Sequence, residues 1–228
     1  MCYNILQLKG NFGMNTNDIR RKMYSLKQEL LYLYKCNRSV SKKDINRLLE
    51  LDADIHRIYN EYLKLFVQID NRIPIFTEDW QYPHSSCYYY ALNLPIPIEF
   101  ERVYESLTGY AFESHLGSIA NLPYQDNFTK EEVLETLYSD LEALKIKWYE
   151  SSIDEEPHHD GYKIALLVDE TLGDTDFHFI RQNRCGRWSE KDGCGTEVVS
   201  ITTPKEFTTD PFYKYVKTLE LVKPTIKR

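Results

Sequence analysis

A chain of 228 residues is long enough to close a sizeable core, and its 42% hydrophobic and 28% charged residues, with only 9 Gly and 9 Pro, exclude a disordered or fibrous protein. A net charge of −7, carried with Lys and Arg scattered rather than striped, argues against a general affinity for nucleic acid, because phosphate binding needs a basic face. No stretch approaches the roughly 18 consecutive apolar residues needed to cross a bilayer, so no membrane partner is expected.

From Asn15 to about Phe66 the apolar positions follow helical spacing, first Ile19, Met23, Leu26, Leu30 and Leu33, then Ile45, Leu48, Ile55, Tyr59, Tyr62 and Phe66. Lys35 to Val40 breaks the period, so residues 1–72 are expected to hold an N-terminal αα-hairpin. Such a hairpin is either an appendage packed on the main domain or on a second copy, or a partner-binding coiled coil. Pro74 and the turn-rich Trp80 to Ser86 then mark the entrance to a second unit over 73–228. Cys87 to Asn93 can form a short helix capped by Ser85 or Ser86, ended before Pro95 and Pro97. Thr129-Lys-Glu-Glu132 is a capping box, and Val133, Leu137, Leu141 and Leu144 carry the stripe of the helix that follows.

Beyond the acidic loop of Ile153 to Asp160 the pattern becomes that of strands: Tyr162 to Val168, Asp176 to Arg181, Arg187 to Lys191, and Val198 to Thr202. A small antiparallel sheet is expected, with Tyr162 to Val168 central because it is apolar almost throughout. The fold class expected is therefore α+β.

Five cysteines are too few and too odd in number for a disulfide framework, which points to a reducing compartment. MCYNILQLKG has no basic region, long apolar core or cleavage site, so a cytoplasmic location is expected, with delivery to another cell by a signal-less route left open. Neither His84, Cys87, His158 and His159 nor the pair Cys185 and Cys194 has the spacing of metal ligands, and the His158-His159 pair reads as solvated surface. Phosphate-cradling loops, dinucleotide fingerprints and serine elbows are also missing, so neither metal nor organic cofactor is expected.

One set of residues could carry chemistry. Cys87 opens a predicted helix, where free backbone N–H groups favour a thiolate nucleophile. His178 lies mid-strand between Phe177 and Phe179, facing away from the side that those two bury, and could serve as its base. Glu190, on the neighbouring strand across a turn, could orient the imidazole. Gln182 and Trp188 are strand neighbours that could border the cleft, Gln182 as an oxyanion donor, although a backbone N–H at Cys87 suits that role better.

Ser86-Cys87-Tyr-Tyr-Tyr-Ala-Leu92, Asp176-Phe-His178-Phe-Ile-Arg-Gln182 and Arg187-Trp-Ser-Glu190-Lys-Asp-Gly193 together resemble papain-like cell-wall amidases of the NlpC type and the related CHAP amidohydrolases and peptidases. The resemblance covers roughly residues 80–200. It implies a papain-like domain, with a Cys-bearing helix packed on a small antiparallel sheet, and a thiol-dependent hydrolase cutting an amide or peptide bond. Cys87 would be its nucleophile, His178 its base and Glu190 its orienting residue. The second and third motifs are also similar to sequences related to an insoluble matrix shell protein, in which a His stands at the place of Glu190. Ser86-Cys87-Tyr88 departs from the Asp-Cys-Ser usual in the amidases, so the substrate is expected to be a peptide or other amide and need not be peptidoglycan. Thiol acyl transfer, or a non-catalytic binding or structural role with contacts made through the hairpin, remain the alternatives.

Overall fold

The computed structural model describes residues 56, 57, 59–61, 63, 64, 67, 74, 85–94, 115–123, 125, 128–169, 176–193, 197–201, 203–205 and 212–224. Their dominant feature is one six-stranded antiparallel sheet, formed by β1 (Lys147–Ser151), β2 (Tyr162–Asp169), β3 (Asp176–Gln182), β4 (Trp188–Lys191), β5 (Val198–Ile201) and β6 (Lys214–Val222). The spatial order is β1-β6-β2-β3-β4-β5, so the last strand in sequence enters between the first two.

β2 is the axis of the sheet because every one of its residues is buried, and its two sets of alternate side chains feed two separate cores. Ile164, Leu166 and Val168 join the larger core with Phe179, Leu219 and Leu221. Ala165 and Leu167 join the smaller one with Ile180 and Trp188. Among the described residues the larger core is covered by α1 (Cys87–Ala91), which contributes Tyr88, Tyr89 and Ala91, by α2 (Lys130–Ala143), which contributes Val133, Leu137 and Leu141, and by the helical residues Tyr59, Leu63 and Val67. The box at the start of α2 is formed as expected: Thr129 Oγ1 accepts from Glu132 N at 3.2 Å, and Glu132 Oε2 accepts from Thr129 N at 2.7 Å.

These observations correct the expected fold class. In place of a papain-like α+β domain with a small sheet and a separate N-terminal helical hairpin, the described chain is mostly a six-stranded antiparallel sheet with few, short helices. Two strands tip the balance. β1 lies at the sheet edge with no fully buried residue, and β6 carries Lys214, Lys217 and Glu220, so neither shows the apolar alternation that announces a strand. Glu220 is nevertheless 1% exposed, because it is engaged by the loop above it. Most of the expected hairpin, and the boundary at residues 72 and 73, lie outside the described residues. Where residues 56–67 are described they are helical, yet Tyr59, Leu63 and Val67 belong to the larger core rather than to an appendage outside it. Among the described residues no helix is long and apolar enough to cross a membrane.

Candidate active site

Ser86 caps α1: its backbone is extended, its Oγ accepts from Tyr89 N at 3.4 Å, and its carbonyl accepts from Tyr90 N at 2.9 Å. Cys87 is thereby the first helical residue, half-buried at the edge of the larger core. The three tyrosines that follow fasten the helix. Tyr88 Oη donates to Asp140 Oδ2 of α2 at 2.7 Å, Tyr89 Oη lies 3.0 Å from Ser118 Oγ, and Tyr90 Oη lies 2.6 Å from Ser189 Oγ on β4. Arg181 of β3 closes the other end of the helix: its guanidinium stacks 3.8 Å from the Tyr90 ring and donates to Tyr90 O at 2.9 Å and to Asn93 Oδ1 at 3.3 Å.

His178 on β3 and Glu190 on β4 are brought together by register. Ile180 pairs with Glu190, so alternation sets His178, Ile180 and Glu190 on one side of the sheet, with His178 and Glu190 as diagonal neighbours. His178 Nε2 lies 2.9 Å from Glu190 Oε2. The ring also interacts with the Cys87 side chain, through a hydrogen bond and through charge. Burial alone would push the imidazole toward its neutral form. Hydrogen bonds and charge from Cys87 and Glu190 outweigh that, and the pKa is raised from 6.5 to about 10.

Gln182 is not brought to the site: its Nε2 donates to Gly186 O at 3.0 Å in the β3–β4 turn. Trp188 is 3% exposed and packs in the smaller core with Ala165, Leu167 and Ile180.

Three contributors were not singled out from the sequence. Tyr213, just before β6, sets its ring centroid 5.7 Å from that of His178 and donates its hydroxyl to Asp176 Oδ2 at 2.6 Å. Asp140 is fully buried and accepts from Tyr88 Oη, Gly117 N and Ala120 N, each at 2.7 Å, joining α1, α2 and the loop at 115–123. Burial raises its pKa while those donors oppose the rise. Arg181 was visible only as an alternate residue on a strand. The neighbouring acidic loop is also held more firmly than its composition suggests. Lys163 Nζ donates to the carbonyls of Ser152, Ile153 and Glu155, while Glu220 accepts from the backbone of His158 at 3.0 Å and of His159 at 2.7 Å. The His159 ring stacks on Tyr149 with centroids 3.9 Å apart.

The chain matches no family model, no curated protein and no solved structure.

Proposed function

We propose that the protein is a thiol-dependent hydrolase of an amide or peptide bond, with Cys87 as nucleophile, His178 as acid and base, and Glu190 as the residue that orients His178. The observation that carries this reading is the relay Glu190–His178–Cys87, in which one buried imidazole is engaged by a carboxylate on one side and a thiol on the other. In the first step the Cys87 thiolate attacks the carbonyl carbon, and the oxyanion that develops is met by the backbone N–H of Cys87, which precedes the first intrahelical bond. Protonated His178 gives its proton to the departing amine, leaving a thioester on Cys87. Water then attacks the thioester while His178 takes its proton, and the carboxylic acid leaves with the thiolate restored.

Glu190 holds the ring through Nε2, so the proton exchanged with substrate is the one on Nδ1. An electrophilic probe bearing an amide-like recognition arm tests the reading. Selective labelling of Cys87 near neutral pH, while exposed Cys185 stays unlabelled, is the expected result. Equal labelling of the two, with no hydrolysis of any peptide or amide in a mixed library, would overturn it.

A further inference from the structure

Tyr213 stands beside the relay without being part of it. Its ring is tilted 47° against the His178 imidazole, with centroids 5.7 Å apart, and its hydroxyl is tied to Asp176, the first residue of the strand that carries His178. The tie bridges β3 and the segment leading into β6, which are not neighbours in the sheet because β2 lies between them. An aromatic ring fixed at this distance flanks the imidazole, and displacing water beside a charged group strengthens the interactions that group makes.

We propose that Tyr213 is a positioning residue of the candidate active site, a fixed aromatic wall that keeps the His178 ring aligned between Glu190 and Cys87 and shields these groups from solvent. The proposal rests on the Cys87–His178–Glu190 reading. The titratable groups around the two rings are Cys87 from α1, Asp176 at the head of β3, Glu190 from β4, which bonds His178, and Asp192 just after β4. Asp176, Cys87 and Asp192 all act on the Tyr213 hydroxyl, whose pKa is raised by burial first and then by Asp176, so it remains a protonated donor at every working pH. Because that single proton is given to Asp176, Tyr213 is not an oxyanion donor. Its part is played by the ring and by the tether.

The test is the rate of Cys87 alkylation by iodoacetamide as a function of pH, followed by mass spectrometry in the full chain with Cys185→Ser as background. A thiol engaged by His178 as proposed is expected to be alkylated faster at pH 6 than an unengaged thiol. Tyr213→Ala hydrates the pair, so the acid limb is expected to move up by about one pH unit, which makes alkylation at pH 6 about tenfold slower. Tyr213→Phe keeps the wall and cuts the tether, and about a threefold loss is expected at the same pH, with near-complete rescue relative to Ala. A Tyr213→Ala profile superimposable on that of the parent overturns the proposal while leaving the relay standing. An ordinary thiol profile in the parent itself overturns both. Should Tyr213→Ala lose its fold by circular dichroism, Tyr213→Phe decides, and an unshifted limb in that variant overturns the proposal.

Discussion

His178 has two partners that favour its protonated form, the Cys87 sulfur on one side and the Glu190 carboxylate on the other, and this is what distinguishes it from an ordinary buried strand histidine. The chain order of Cys, His and acid, and the flanking Phe177 and Phe179, made those three residues legible in the sequence. Tyr213 and Asp140 were not legible, because a Tyr before a charged strand and an Asp within an amphipathic helix have no local signature of burial or partnership. Gln182 misled for a related reason: a polar side chain near a site is as readily consumed by the adjacent turn as by chemistry. On the proposed reading, replacing Cys87 by Ala removes hydrolysis by orders of magnitude, as expected for a member of a catalytic unit, while unfolding free energy changes by no more than about 0.5–3 kcal/mol. Steady-state assay and urea titration of the same preparation check both halves. Full activity in Cys87→Ala ends the assignment. Glu190→Gln is expected to lose less, since the amide oxygen still accepts from Nε2.

At the level of elements, α1 is too short to stand by itself and is made by its attachments. Ser86 caps it, Tyr88 ties it to α2 through Asp140, Tyr90 and Arg181 tie it to the sheet, and Cys87 is the residue at its free edge. Sequence signals gave this helix and α2 well, since a cap and a capping box are local chemistry. They also gave the starts of β2, β3 and β5, whose apolar content is concentrated, but not β1 and β6, whose strand character comes from pairing, β1 with β6 and β6 with both β1 and β2. Tyr88→Phe removes one of three hydrogen bonds to a fully buried carboxylate, and a loss of about 1.5–3 kcal/mol is expected. A double-mutant cycle with Asp140→Asn should show strong coupling. Additive effects would mean that the contact does not fasten α1 to α2.

For the whole molecule, the proton on His178 links stability to pH. Its pKa is raised from 6.5 to about 10 in the folded protein, so this contribution is fully present below pH 6.5 and is lost as pH rises toward and through about 10. Unfolding free energies from urea titrations between those limits should fall with pH, by no more than about 1.4 kcal/mol per unit from this one site, and His178→Gln should flatten the decline. An equal decline in that variant would assign the effect to other groups. The order β1-β6-β2-β3-β4-β5 has a consequence for synthesis. As the chain emerges from the ribosome, β2 can pair with β3 at once, but its other edge stays open and β1 has no partner until β6 is made. A largely apolar strand with an unpaired edge is therefore presented to the cell throughout translation of the intervening residues, a natural target for a nascent-chain chaperone and a point where stalled synthesis would yield an aggregating fragment.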